Sequence, residues 1–219
     1  MKAIKSIYLS WRKGKGYSRS LVGRIQKNAT KGVSFKYDDF EVEKARKDGF
    51  TPYVDFPDLS KEYSNGVIEA FGQRLVKTER LDKQKYHDFW EIEKKYEEDK
   101  YYMLAYTQGL LSTDNFEFLA DFNPVKSLCF ISEVCGLSSR DLPAGSLSIG
   151  DELLYELEPT NEYDSFAVKV YMGKDEIGYI KRIHSKVFHE KNNGYKLKLS
   201  VKGIEQNANI NRIFIKISY

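Results

Sequence analysis

The chain has 219 residues, 35 Lys+Arg against 32 Asp+Glu, 41% hydrophobic residues and 14% aromatic ones. That apolar content builds a packed core and excludes a disordered chain, and the length suits one large domain or two small ones. The net charge of +3 names no partner by itself, and no run approaches the ~20 apolar residues of a membrane helix.

Residues 1–36 carry ten Lys/Arg and no Asp/Glu. Within them "IKSIYLSW" (4–11) alternates and predicts a strand. "RSLVGRIQ" and "GVSFKY" predict two more, separated by a polar turn around Lys27-Asn28-Ala29. Between the first two lies "SWRKGKGYSRS", where Trp11 and Tyr17 are interleaved with Arg12, Lys13, Lys15 and Arg19. Aromatic and cationic residues together suit nucleic-acid bases and backbones, so these four cations form a candidate secondary basic surface. The stretch lacks the phosphate-loop spacing G-x-x-x-x-G-K-[ST].

Residues 37–125 hold 12 basic and 20 acidic residues, a balance that offers the N-terminal cations internal partners. "DDFEVEKARKDG" predicts a helix with Asp38 as N-cap and Gly49 as stop. "FTPYVDFPDL" contains two prolines and is expected to be irregular. Helical spacing returns at Val67, Ile68, Phe71 and Leu75, then through Tyr86, Phe89 and Trp90, and again near Tyr102–Tyr106. "NFEFLADF" (115–122) reads as a short strand, and Asn123-Pro124 as a domain boundary.

After that boundary the pattern changes to strands. "SLCFISEVCG", "DELLYELEP", "FAVKVYM" and "EIGYI" follow one another, the last after the turn Gly173-Lys174-Asp175. "KRIHSKVFHEKNNG" is helical, with Ile183, Val187 and Phe188 inward and Gly194 as stop. "YKLKLSVKGI" and "NRIFIKISY" alternate as a closing pair. Many short strands with glycine corners predict a small, partly open barrel. The fold class is therefore α+β: an N-terminal mixed domain over 1–122, then a barrel with one or two short helices over 123–219. Residues 126–164 are acidic, with two basic and eight acidic residues, and 165–219 are basic, with eleven and four.

Catalytic signals are sparse. His184 and His189 are five apart, so they do not share a helix face as a metal pair would, and all three histidines, with His87, read as surface or boundary residues. Pro57-Asp58 followed by Glu93-x-Lys95 imitates the carboxylate–carboxylate–lysine pattern of metal-dependent nucleases, where the acids hold magnesium and the lysine assists the attacking water. The second half of that pattern lies in a polar stretch that reads as a solvated helix. The expectation is a chain without catalytic residues, metal or cofactor. Cys129 and Cys135 are the two cysteines and form no C-x-x-C pair, and "MKAIKSIYLSWRKGKG" has no signal-peptide core, so a cytoplasmic, reducing location without membrane association is expected.

The stretch "EPTNEYDSFAVKV" (158–170) crowds an amide, a phenol and a carboxylate at the start of a strand. Taken with "EVCG" before it and "EIGYI" after it, this order resembles the HIRAN domain over about 126–219. The resemblance implies an OB-like barrel that captures the 3′-hydroxyl end of single-stranded DNA. It implies that Asp164 accepts a hydrogen bond from the terminal hydroxyl, that Tyr163 stacks on a base, and that Asn161 orients the turn or the nucleotide. It carries Gly136, Arg140, Tyr179, Lys181, Arg182 and Lys186 as further nucleic-acid-binding positions. Well-studied members place a basic residue and aromatics after the strand-ending glycine; here Gly136 leads to Leu137-Ser138-Ser139-Arg140, so the aromatics are absent and Arg140 is displaced. A plain Asx-type turn at 161–164 is the bland alternative. "SLVGRI", "GVSFKY" and "VIEAFGQRL" are loosely similar to the N-terminal lobe of HipA-type toxin kinases over about 3–120, which implies an α+β domain that docks a partner protein, without kinase activity. The chain is thus expected to be a non-catalytic nucleic-acid-binding protein in a repair, restriction or defence context. The alternatives are an interaction adaptor whose barrel has lost DNA binding, and a nuclease using Asp58, Glu93 and Lys95.

Overall fold

Ile7 and Leu9 alternate with Ser6, Tyr8 and Ser10, and that period of two makes β1 (Ile4–Trp11). The structure is a computed structural model that describes residues 3–14, 16–75, 82–111, 113–190 and 196–219. β2 (Ser20–Asn28) pairs with both β1 and β3 (Gly32–Tyr37). The β2–β3 turn closes on Asn28, whose Oδ1 accepts from Thr30 N at 2.8 Å. α1 (Asp39–Arg46) starts where the Asp38 carboxylate accepts from Glu41 N, and Gly49 beyond its end takes φ 93°. Then come α2 (Val67–Gly72), α3 (Lys83–Phe89), a 3-10 turn at Lys94–Tyr96, α4 (Lys100–Thr107) and β4 (Phe116–Phe122). The four strands form one sheet in the order β3-β2-β1-β4.

The chain divides into two compact units. The first, Ile4–Asp88 with Ile92–Asp121, has an aromatic core. Phe35, Phe71 and Phe118 are fully buried, and Phe71 lies 5.1 Å from Phe35 and 4.9 Å from Phe118 between ring centroids. Each such ring stabilises by roughly 1.5–3 kcal/mol through burial. The proline-containing stretch after α1 is irregular as expected, yet it is pinned. Phe50 and Phe56 are buried, and the Tyr37 hydroxyl donates to Phe56 O and accepts from Tyr53 N, both at 2.9 Å. A single buried phenol thereby satisfies two loop backbone groups that no ladder could reach.

The second unit comprises the described part of Met1–Ala3, Phe89–Glu91 and Phe122–Tyr219, so the units interleave along the sequence. Its strands are β5 (Cys129–Cys135), β6 (Glu152–Glu158), β7 (Ala167–Met172), β8 (Asp175–Ile180), β9 (Lys198–Gln206) and β10 (Ile210–Ser218). They close into a barrel in the order β10-β5-β8-β7-β6-β9. The partly open barrel expected from the sequence is thus corrected to a closed one. β6 pairs with β9 at Glu152↔Ser200 and Leu153↔Leu199, and this seam leaves no free edge. Val168, Val170, Ile177, Ile213, Ile215 and Ile217 are all fully buried. Short 3-10 helices follow β5 (Leu137–Ser139) and β8 (His184–His189); the stop expected at Gly194 lies outside the described residues. Phe89 packs edge-on against Phe214 at 5.2 Å, and Glu91 pairs with Lys202 at 2.5 Å and Lys216 at 3.0 Å, which fixes this short excursion to the barrel.

Candidate nucleic-acid interface

The turn from β6 to β7 is built by side chains that cap its backbone. Asn161 Oδ1 accepts from Tyr163 N at 3.0 Å and Asp164 N at 3.1 Å, and Asp164 Oδ1 accepts from Phe166 N at 3.0 Å. Two successive Asx turns follow, which is why an amide and a carboxylate stand together here. The third residue is not used in this way: the Tyr163 side chain is 89% exposed.

Beneath the turn, Glu158 is a hub. Its carboxylate accepts from Asn161 Nδ2 at 2.7 Å, Lys169 Nζ at 2.7 Å and the Tyr179 hydroxyl at 3.2 Å. The Lys169 ammonium is the largest influence holding this carboxyl below the usual range, and the same pair raises Lys169. Tyr179 is raised, first by burial and then by the Glu158 charge. Lys169 also reaches Glu176 at 3.9 Å, and Glu176 forms an ion pair with Arg140. Arg140 Nε donates to Glu176 O at 3.0 Å and its Nη1 to Ser139 Oγ, which in turn donates to Gly136 O. One polar strip thus joins Asn161, Tyr179, Arg140 and Gly136. Gly136 takes φ 84°, a left-handed turn that opens the 3-10 helix after β5. Gly178, with φ 147°, allows β8 to approach β5: a Cβ there would collide with the Cys135 carbonyl and come within 2.7 Å of Val134 Cγ1.

The other expected residues divide sharply. Arg182 is exposed, and Lys186 holds its ammonium 5.9 Å from the centroid of the Phe166 ring. Lys181, expected to meet phosphates, is corrected: its side chain is 2% exposed and pairs with Glu133 at 2.6 Å. Inside a barrel wall only a paired ammonium is tolerated, and Glu133 is that partner. In the N-terminal unit Arg19 is likewise turned inward, to the buried Glu117 at 2.6 Å. Lys13 is exposed, with its ammonium 5.4 Å from the Tyr17 ring centroid, and Arg12 donates its backbone N–H to Asn115 O. Lys15 lies outside the described residues. The nuclease pattern is not assembled: the Asp58 carboxylate accepts from Ser60 N and Oγ, Glu93 pairs with Lys95 at 2.7 Å, and no group of three His, Cys, Asp or Glu able to hold a metal occurs among the described residues.

Sequence reading missed Glu158, Lys169, Glu176 and Phe166. The first three carried no local signal, because only strand register brings β6, β7 and β8 side by side. The sequence places Phe166 first in the strand "FAVKVYM", whereas it precedes β7 and is 42% exposed.

A closed barrel bearing a capped, aromatic-tipped turn and a polar outer strip defines an OB-like binding module. Residues 127–218 match the family model of the HIRAN domain, and the C-terminal part of the chain is a HIRAN domain. That assignment supports the coarse reading of this unit as nucleic-acid-binding. Over 65 residues the chain is also 45% identical to the small ribosomal subunit proteins eS17A and eS17B of Saccharomyces cerevisiae (strain ATCC 204508 / S288c). Over 63 residues it is 44% identical to small ribosomal subunit protein eS17 of Candida albicans (strain SC5314 / ATCC MYA-2876). These matches take in 29% of this chain, and the chain spans less than half the length of each of these relatives, 44% or 45%. No solved structure matches.

Proposed function

We propose that the C-terminal unit binds single-stranded DNA at its 3′ end, without catalysis, and supplies recognition to a repair, restriction or defence system. The observation that carries this reading is the division of labour in the 158–166 turn. Asn161 and one Asp164 oxygen hold the backbone and Glu158 holds the Asn161 amide, while the Tyr163 ring stands in solvent and the second Asp164 oxygen accepts no hydrogen bond among the described residues. A carboxylate that accepts but cannot donate selects a hydroxyl, the one donor an end has and an internal sugar of DNA lacks. A phenol ring stacks on any base without reading it.

The test is a titration of labelled strands that end in a 3′-hydroxyl or a 3′-phosphate. The hydroxyl end is expected to bind more tightly by ~1.5–3 kcal/mol, the worth of a hydrogen bond to a charged group, and Asp164→Ala to bind both ends alike. Equal affinity of the unmutated protein for the two ends overturns the 3′-end reading. RNA strands belong in the same titration, since the curated relatives are small ribosomal subunit proteins. One observation favours a second reading, an adaptor that has lost DNA binding: Arg140 and Lys169 are both matched to carboxylates rather than presented to solvent. Failure of every strand to bind supports the adaptor. For the N-terminal unit the proposal is a protein dock.

A further inference from the structure

We propose that Asn65 is a site of spontaneous covalent modification, where the Asn65–Gly66 pair closes to a succinimide and reopens as aspartate or isoaspartate. The pair lies in the N-terminal unit and is independent of the nucleic-acid reading of the barrel.

The chemistry needs an amide carbon, a backbone nitrogen one residue further on, and room for the two to meet. The Gly66 nitrogen attacks Asn65 Cγ and gives up its proton, the side-chain nitrogen leaves as ammonia, and a cyclic imide forms. Water then adds to one of the two imide carbonyls. Opening at the former side-chain carbonyl gives aspartate. Opening at the main-chain carbonyl gives isoaspartate, whose main chain runs through Cβ. The balance is one water consumed and one ammonia released, without oxidant or reductant.

The fold leaves this pair unguarded. Asn65 and Gly66 are both exposed. Among the described residues the Asn65 side chain makes no hydrogen bond, and neither the Asn65 carbonyl nor the Gly66 N–H enters a backbone bond; Gly66 O is tied, accepting from Ala70 N at 3.0 Å. A peptide unit bonded on neither side is free to turn toward the side chain. A Cβ at position 66 would meet nothing within 4 Å, so the nitrogen is reached from open space, and its φ of 67° is one that glycine adopts readily. Asn28 and Asn161 are protected by contrast. Their Oδ1 atoms accept from the N–H groups of Thr30 and Lys31 and of Tyr163 and Asp164, and a residue with a side chain follows each. Asn193-Gly194 lies outside the described residues.

Isoaspartate lengthens the main chain between two anchored points. Before it, Tyr63 and Phe35 exchange backbone bonds, both at 2.8 Å. After it, α2 seats Val67 and Phe71 in the aromatic core at 2% and 0% exposure. The extra methylene loosens that seat, whereas aspartate adds charge alone.

The intact full chain is incubated at neutral and mildly alkaline pH, digested with trypsin and read by mass. The peptide Glu62–Arg74 contains Asn65 as its one asparagine, so it reports this site apart from Asn193. We expect it to gain the mass difference between amide and acid, faster at the higher pH, at a rate close to that of the same peptide made synthetically. Asn65→Gln should lose the conversion. Conversion in the folded chain more than about tenfold slower than in the free peptide, the protection that one local hydrogen bond would give, overturns the proposal. The isoaspartyl fraction should unfold at a lower denaturant concentration than Asn65→Asp, which carries the charge on a chain of normal length. Equal midpoints overturn the loosening of α2.

Discussion

His184 shows how a polar residue is accommodated when its surroundings are apolar; it and His87, expected at the surface or a boundary, are instead both buried. It is 1% exposed, its Nδ1 lies 2.8 Å from Ser132 Oγ, and its ring packs 5.1 Å from Phe130 and 5.8 Å from Phe122. Burial is the main reason its pKa falls well below 6.5, and the Lys181 charge adds to the effect. The folded protein therefore holds this imidazole neutral, whereas the unfolded chain protonates it near pH 6.5. The stability this contributes is fully present above that pH and is lost as the pH falls toward the depressed folded value. The slope of a single such group is about 1.4 kcal/mol per pH unit. Denaturant unfolding of the intact protein should thus weaken steadily from pH 6.5 to 5, and His184→Gln should lose that part of the slope. Glu91 and Glu158, whose carboxyls are lowered, contribute stability above the ordinary carboxylate range and lose it only at lower pH. Parallel pH profiles for His184→Gln and the unmutated protein would refute the assignment. The same scale explains Lys181: Arg182 beside it is exposed, but Lys181, directly after β8, is buried against Glu133.

Among the elements, α4 owes its start to one carboxylate. Asp99 accepts from Tyr101 N at 2.9 Å and Tyr102 N at 3.1 Å, and it also pairs with Lys27 at 3.1 Å. Magnitudes decide which role matters. A lost N-cap costs about 0.5–2 kcal/mol, whereas an exposed ion pair is worth about 0–1 kcal/mol. Asp99→Ala should lower stability by ~1–2 kcal/mol, and Asp99→Asn, which keeps the cap and loses the charge, should stay close to the unmutated protein. If both substitutions cost the same, the ion pair rather than the cap fixes this helix. The helix is buried along nearly its whole length, from Tyr101 to Thr107, so its N-terminus is the part that water and caps control.

For the molecule as a whole, the distribution of charge along the sequence overstates the cationic surface. Arg19 and Lys27 are matched to Glu117 and Asp99, Lys169 and Arg140 to Glu158 and Glu176, and Lys181 to Glu133. On the barrel, Arg182 is exposed and Lys186 lies beside the Phe166 ring, and the single-strand reading sets these two cations against phosphates. Two phosphate contacts at ~0.7 each give a log–log salt slope of about −1.4 for a single strand. A measured slope near −5 would require several further cations and would return the 12–19 loop to the binding surface. A slope near −1.4 that falls by half in Arg182→Ala would bear out the short path.

The strands, the Asp38 cap, the irregular 50–59 stretch and the barrel class were legible in the sequence, because each rests on local periodicity or on turn chemistry within a few residues. So was the Asn161–Asp164 turn, since its bonds join residues two and three apart. Closure of the barrel was not legible: it depends on β6 meeting β9 about 46 residues later, at Leu153↔Leu199. Nor was the fate of individual cations, since "IKR" presents Lys181 and Arg182 alike and only the wall of the barrel buries one and exposes the other. Long-range register also decided that Glu158 binds Lys169 and Tyr179, and that Phe166 stands beside Lys186 and His189. Sequence by itself determined which residues form each strand and turn, because those energies are local; the tertiary structure decided which side chains share a surface, because that depends on pairings between strands far apart in the chain.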